Sequence, residues 1–191
     1  EEGPAKDGTV ALLEWMKAKG EAMSVCLVGE PTCPEVMGEM MKIGRRGSLS
    51  CAIVAHGVQG HSAYPHRAKN PLHAMVQLLH GLTSQPLDQG TEHFDASTLA
   101  ITTIDTGNPA GNVIPARASA NVNIRYNDAH SGESLEAWLR AEATKIEAET
   151  GVRFSLSVSN SGESFFTPPG EFVELVAGSV AAEIGKRPIY S

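Results

Sequence analysis

The stretch from Gly57 to His66, GVQGHSAYPH, carries the side chains best suited to chemistry: His61, Tyr64 and His66. Near neutral pH a histidine can act as a general acid or base, a metal ligand or a polarising donor. A single histidine in a loop is more often ordinary polar surface, so the residue types alone leave His61 open and favour a structural role for His66. No two histidines of the chain have the i, i+4 spacing of a helical zinc site.

Carboxylates occur at two places where they could bind a metal. Glu1 and Glu2 form an acidic pair, and Glu30 follows the apolar run 24–29, SVCLVG. That run has the pattern of a short buried strand, and α/β proteins place ligand-binding groups just after such strands. An isolated acidic pair is usually solvated, and a single carboxylate after a strand is more often structural. The residues alone therefore do not predict a metal site.

Several polar residues could bind an anion or an amide. Arg45 and Arg46 precede Gly47-Ser48, and a guanidinium binds a carboxylate through two parallel hydrogen bonds, which lysine cannot do. Arg125 lies on the polar side of an alternating run, where a solvated sheet face is an equally good interpretation. Asn112 follows a glycine-rich turn and could donate to a carbonyl oxygen or simply form the turn.

The elements that must position these residues follow a recognisable order. Patterns of period two predict strands over 48–56, 98–106, 116–126 and 154–158, and capped helical patterns begin after Asn70-Pro71 and after Ser131. The order β-α-β-β-α-β over residues 47–159 predicts a ferredoxin-like sandwich, an antiparallel sheet with two helices on one face. Residues 1–46 and 160–191, with predicted helices over 7–19 and 170–185, are expected to be two pieces of a second domain into which 47–159 is inserted.

Composition excludes several classes of function. The net charge is −7, so the chain as a whole offers no polycation for nucleic acid or an anionic membrane. No apolar run approaches the roughly 20 residues that span a bilayer. Three cysteines without CxxC spacing favour reduced thiols in a cytoplasmic protein. Both ends of the chain have the character of cuts through a longer protein, which predicts a central fragment.

Seven segments, in order along the chain, resemble the succinyl-diaminopimelate desuccinylases: EEGPAKDGT, LVGEPT, GRRGSL, GVQGHSAYPHRAKNP, GNVIP, NIRY and SGESFFT. That family belongs to the two-zinc amidohydrolase and aminopeptidase group, which includes acetylornithine deacetylase. The resemblance implies a small substrate with several carboxylates, two zinc ions (cobalt being possible) and a lid domain that forms a homodimer. The predicted fold class is therefore α/β (α+β), a ferredoxin-like lid inserted in an incomplete zinc-hydrolase catalytic domain.

The resemblance also implies roles for individual residues. Glu1 falls on the general base, and Glu2 and Glu30 fall on metal ligands. His61 falls on a lid histidine that enters the partner subunit's active site and stabilises the oxyanion. The resemblance also implies that five further residues fall on positions that bind the substrate's carboxylates or amide: Arg45, Ser48, Tyr64, Asn112 and Arg125. The family's remaining metal ligands fall outside this chain, so the chain alone is expected neither to hold two zinc ions nor to hydrolyse substrate.

Two other interpretations stay open. One is a related metal-dependent deacylase or peptidase, such as an acetylornithine deacetylase, against which Arg45 and the AYPH stretch argue. The other is a non-catalytic dimerisation module. The unpaired edge strands of an open sheet could join two lids edge to edge about a two-fold axis.

Overall fold

The computed structural model describes residues 8–31 and 33–191, so Glu1 and Glu2 lie outside the described residues. The elements in chain order are α1 (Gly8–Lys19), β1 (Met40–Met41), β2 (Gly44–Arg45), β3 (Gly47–His56), β4 (Gly60–His61), α2 (Pro71–Thr83), β5 (Thr98–Asp105), β6 (Val113–Ile114), β7 (Arg117–Tyr126), α3 (Gly132–Thr150), β8 (Arg153–Gly162), β9 (Phe165–Phe166), α4 (Glu171–Ile184) and β10 (Ile189–Tyr190). A 3₁₀ turn covers Pro65–Arg67. The chain divides into a larger unit, Lys42–Pro168 with Ile189–Ser191, and a smaller unit, which joins the described residues up to Met41 to Pro169–Pro188.

The larger unit contains a four-stranded sheet in the order β5-β7-β3-β8, with every neighbouring pair antiparallel. Helices α2 and α3 pack on one face of this sheet and against each other. The predicted ferredoxin-like order β-α-β-β-α-β and the mixed α/β fold class are confirmed. The compact unit begins and ends a few residues outside the predicted 47–159 segment, whose assignment as a lid domain stays a prediction.

Alternation along the two central strands builds the core. Every second residue of β3, from Leu49 to Ala55, is buried, and β7 shows the same pattern from Ala118 to Tyr126. The helices add apolar residues at helical spacing: Ala74, Met75, Leu78, Leu79 and Leu82 from α2, and Leu135, Leu139 and Ala143 from α3. Full burial of one such aliphatic side chain contributes roughly 1.5–3 kcal/mol, so this sandwich is the main source of stability in the unit.

The ends of both sandwich helices are specified by the expected residues. The side chain of Asn70 accepts a hydrogen bond from the Leu72 amide at 2.9 Å, and Pro71 fills the first turn of α2, where no amide donor is needed. Ser131 and Ser134 form a reciprocal capping box at the start of α3. Gly151 ends α3 with φ at +67°, a left-handed conformation that favours glycine.

The connection between α2 and β5 is held by the carboxylate of Asp88. It accepts hydrogen bonds from the amides of Gly90 at 2.7 Å and Ser97 at 3.1 Å, and from the Asn127 side chain at 2.8 Å. The His130 ring lies 3.1 Å from its second oxygen. Burial by itself would raise the pKa of Asp88, but the hydrogen bonds from Ser97, Gly90 and Asn127 outweigh burial and hold the pKa well below its usual range.

The chain enters and leaves the sandwich through a short antiparallel pair that we name the entry ribbon, β2 with β9. Gly44 pairs with Phe166, and Arg45 pairs with Phe165. A Cβ on Gly44 would lie 2.8 Å from the Phe165 carbonyl oxygen and 3.0 Å from the Phe94 ring, so only glycine fits. The His93 ring stacks on Phe166 with centroids 4.0 Å apart. The connection fixed by Asp88 therefore also packs on the entry ribbon.

The smaller unit differs from the prediction at one element. The run 24–29 was expected to be a buried strand, but it forms no strand, and Leu27 is 69% exposed. A strand needs a neighbour for its amides and carbonyls, and the described residues supply none for this run. The expected helices are present as α1 and α4, although α1 buries none of its residues. No helix within 8–31 and 33–191 has the length and apolar character needed to cross a bilayer.

Candidate functional site

One group of predicted site residues lies where the sheet meets the entry ribbon, and we name it the basal cluster: Arg45, Ser48 and Arg125. Ser48 on β3 lies directly opposite Arg125 on β7 and opposite Gly162 on β8. The Arg45 guanidinium lies against Gly162, where a Cβ would come within 2.0 Å of its Nη2. The basal cluster therefore gathers two permanent positive charges and a hydroxyl at one end of the sheet, a set suited to binding carboxylates.

A hydrogen-bonded group supports the basal cluster from inside the sheet. The buried Tyr126 hydroxyl lies 3.0 Å from Glu163, 3.2 Å from Asn160 and 3.3 Å from the Gly162 carbonyl. Glu163 also accepts from the Gly132 amide at 3.1 Å, at the N-terminus of α3, where a negative charge is favourable. Burial raises the pKa of Tyr126, and the hydrogen bond to Glu163 raises it further, so the phenol stays protonated.

Sequence analysis missed Glu163 and Asn160. The available signal was a tyrosine at the inward end of an alternating strand, because a buried phenol requires a polar partner.

The second group lies on the loops at the other end of the sheet, and we name it the distal cluster: His61, Tyr64 and Asn112. The short strands β4 and β6 pair so that His61 lies opposite Val113, and the Ser62 amide donates to the Asn112 carbonyl at 2.9 Å. This ladder brings together two segments that are some 50 residues apart in the chain.

The His61 ring has a defined tautomer in its neutral form. Its Nδ1 accepts a hydrogen bond from the Ala63 amide at 3.0 Å. A neutral imidazole has one donor and one acceptor nitrogen, so the proton is on Nε2, which can donate to a ligand. The Tyr64 ring centroid lies 5.8 Å from the His61 ring, and the Arg67 guanidinium lies 5.5 Å from the centre of the Tyr64 ring. The distal cluster thus presents a donor beside an exposed aromatic ring.

The two clusters lie at opposite ends of β3. Ser48 stands at one end of this ten-residue strand, and His61 follows its other end by way of the turn at 57–59. A strand advances about 3.4 Å per residue, so roughly 30 Å separates the clusters. The two clusters of a single chain cannot contact the same small molecule.

The predicted metal ligands are not gathered by the described residues. Glu30 is exposed in the segment that follows the run 24–29, and Glu1 and Glu2 lie outside the described residues. Within the part of the chain that the structure describes, no three histidine, cysteine or acidic side chains come together to hold a metal ion. Cys51, the buried thiol of β3, is not a ready ligand either, because burial raises its pKa to about 11. The described residues do not by themselves fit a metal ion.

Comparison with known families identifies the larger unit. A family described as "Peptidase dimerisation domain" matches residues 43–151, more than half of the chain and nearly all of the sandwich. The chain belongs to the peptidase dimerisation domain family. The match covers three of the four strands (β3, β5 and β7) and both helices, and it includes both clusters.

The curated relatives carry the family assignment further. A succinyl-diaminopimelate desuccinylase of Cereibacter sphaeroides is 70% identical over 188 residues, which is 98% of this chain and 50% of the relative. Another, from Paracoccus denitrificans, is 63% identical over 191 residues, all of this chain and 50% of the relative. The chain therefore spans about half the length of the curated relatives it matches. The predicted resemblance to the desuccinylases is confirmed.

Solved structures agree on the fold. Aminopeptidase PepT from Bacillus cereus superposes with a TM-score of 0.63 at 15% identity, covering 80% of this chain and 40% of that protein. An amidase of the hydantoinase/carbamoylase family from Burkholderia vietnamiensis gives 0.62 at 17% identity, covering 78% and 35%. These identities are too low to transfer a substrate, so the structural likeness concerns the fold alone.

Proposed function

We propose that the complete protein to which this chain belongs hydrolyses the amide bond of N-succinyl-LL-2,6-diaminopimelate, giving succinate and LL-2,6-diaminopimelate. The observation that carries the proposal is the 70% identity to a desuccinylase over nearly the whole chain. The basal cluster supports a substrate with several carboxylates, because it holds two guanidinium groups in a protein whose net charge is −7. The reaction would take place in the cytoplasm, in keeping with the free thiols of Cys26, Cys33 and Cys51.

In this proposal the residues of the chain have separate tasks. Arg45 and Arg125 bind substrate carboxylates, while Ser48, Tyr64 and Asn112 contact carboxylates or the amide. His61 donates from Nε2 to the oxygen that becomes negative as the tetrahedral intermediate forms. A donor of this kind contributes roughly 3–4 kcal/mol to the transition state. Glu1 takes a proton from the attacking water and delivers it to the leaving amine.

The complete protein is proposed to bind two zinc ions, with Glu2 and Glu30 as one ligand to each. When bound, two such ions polarise a carbonyl and make a bound water acidic near neutral pH. The remaining ligands would come from outside this chain, in keeping with relatives of twice its length. The match of residues 43–151 to a peptidase dimerisation domain is the reason why the chain alone is proposed to act as a dimerisation module.

A dimer would bring the two separated clusters into one site. Because roughly 30 Å lies between them in one chain, the proposed site combines the basal cluster of one protomer with the distal cluster of the other. We place the contact at the β5 edge, where Ile104 is 58% exposed and Val76 of α2 is 63% exposed. An open edge strand flanked by exposed apolar side chains is a ready surface for pairing with a second copy.

Complementation between two inactive variants tests both the activity and the shared site. In the complete protein, His61→Ala should reduce turnover by about 10²–10³-fold with zinc content unchanged. Arg45→Ala should also be nearly inactive. A refolded equal mixture should recover about a quarter of wild-type turnover, since half of the dimers are mixed and each has one intact site.

Mixing His61→Ala with Asn112→Ala is the matched control, because both residues belong to the distal cluster and no site can be intact. If mixed dimers are verified by mass and no activity returns with the first pair, the shared site is wrong. Comparing hydrolysis of succinyl-diaminopimelate with that of acetylornithine tests the substrate, and preference for acetylornithine would reject the proposed reaction. Light scattering of the 191-residue chain tests the dimerisation module, which a purely monomeric chain would exclude.

A further inference from the structure

Three basic residues form a row across the open face of the sheet, at the end away from the basal cluster. His56, the last residue of β3, lies directly opposite Arg117 of β7 on one side and Arg153 of β8 on the other. All three are exposed, and directly opposite residues point to the same face. We name this set the basic row. It was not among the predicted site residues.

The basic row is not neutralised by the described residues. The ion pairs found within 8–31 and 33–191 include none of its members. The nearest acidic residue by register is Asp105, which lies opposite Ser119 and accepts a hydrogen bond from the Gly107 amide. A chain with 22 acidic residues thus keeps its two row arginines on either side of a histidine without a paired carboxylate.

On one side the basic row is bordered by short side chains. The adjacent cross-strand row consists of Ser119, Val54 and Ser155, which are short side chains. The His56 ring is held to Ser155 by a hydrogen bond of 2.9 Å between Nε2 and Oγ. Nothing bulky in this neighbouring row stands over the guanidinium groups of Arg117 and Arg153.

The spacing of the basic row selects the kind of ligand. Adjacent strands lie about 4.8 Å apart, so the Cα atoms of Arg117 and Arg153 are separated by about 10 Å with His56 between them. Each guanidinium can bind one carboxylate through two parallel hydrogen bonds. A molecule with two carboxylates can engage both arginines at once, whereas a monocarboxylate can engage only one of them.

We propose that the basic row is a binding site for a small dicarboxylate on the open face of the sheet. It lies at the opposite end of β3 from the basal cluster and uses none of the residues assigned to catalysis. The proposal does not depend on the proposed reaction, since binding at this row needs no metal and no turnover.

Titration of the complete protein with succinate at low ionic strength tests the site. The basal cluster can also bind succinate, so the comparison is made in an Arg125→Gln background, which weakens that second site. Arg117→Gln or Arg153→Gln should weaken the remaining saturable binding at least tenfold. Arg140→Gln is the matched control, because it removes the same charge from an exposed arginine that pairs with Glu136 on α3. Circular dichroism confirms that each variant is folded.

Each outcome decides the proposal. Loss of binding in both row variants, with Arg140→Gln unchanged and acetate at least tenfold weaker than succinate, supports the dicarboxylate site. Equal binding by the row variants and the control overturns it. Inorganic phosphate binding more tightly than succinate at the same residues also overturns it, because two separated carboxylates are then not what the row selects.

Discussion

The two units of the chain carry similar apolar sequence patterns but bury them very differently. In the larger unit, Ile53 of β3 and Leu139 of α3 are almost completely buried. In the smaller unit, Leu12 of α1 is 55% exposed, and Leu27 in the predicted strand is even more so. An apolar pattern becomes a core only when a complementary surface is available, which the two sandwich helices and the sheet provide for each other. We expect the part of the complete protein beyond this chain to cover the smaller unit.

The largest expected difference is in the free energy of unfolding lost when a leucine is truncated in each unit. Leu139→Ala removes a side chain that is 1% exposed in the core and should lower the free energy of unfolding by about 3 kcal/mol, through lost burial and a cavity. Leu12→Ala should change it by less than about 0.5 kcal/mol in the isolated chain, because alanine is a good helix former and little area is lost. Urea unfolding of both variants measures the difference. Similar losses in the two would mean that the smaller unit has a core of its own.

The next effect concerns the polar support of the larger unit. Asp88→Asn removes the charge that strengthens four hydrogen-bonding contacts and should cost about 2 kcal/mol at pH 7. The pKa of Asp88 is lowered on folding, so its contribution is complete above the ordinary aspartate value of about 4 and declines as the pH falls below that value.

The difference in free energy of unfolding between wild type and Asp88→Asn should therefore be constant from pH 5 to 7 and should narrow below about pH 4. Urea unfolding at each pH measures this difference. Asp105→Asn, at an exposed position with one backbone hydrogen bond, is the control and should lose less than about 0.5 kcal/mol. A difference in unfolding free energy that widens on acidification would contradict a stabilising role for the ionised Asp88.

The smallest effects compare one helix cap in each unit. Ser131→Ala removes the capping box of α3 and should cost about 1 kcal/mol. The N-cap of α4 is Gly170, which is extended and has no side-chain hydrogen bond, so Gly170→Ser should add a few tenths of a kcal/mol. Thermal unfolding followed by circular dichroism measures both shifts. A loss on Gly170→Ser would show that the serine cannot cap α4.

Sequence patterns predicted the sandwich because its strands and helix caps are determined by residues close together in the chain. The strands 48–56 and 116–126 alternate strictly, and the caps at Asn70 and Ser131 lie within three residues of the amides they bind. The run 24–29 was mispredicted because apolar composition does not reveal whether a pairing strand is present.

Contacts between distant segments left no such signal. Asp88 meets Asn127 and His130 across 39 and 42 residues, and neither partner has a local pattern that reveals it. The motifs identified the candidate site residues one by one. Their division into two clusters about 30 Å apart became evident only from the structure, through the length and direction of β3.

The entry ribbon has a consequence for how the sandwich segment 44–166 can be inherited and engineered. Because Gly44 pairs with Phe166 and Arg45 with Phe165, the two chain crossings lie side by side, about 5 Å apart. A segment whose two ends are adjacent can be inserted into a surface turn of another protein, or removed from its host and closed by a short linker, without stretching the chain at either junction. The continuous segment 44–166, which holds the sandwich and both clusters, is therefore expected to be transferable between proteins as one piece.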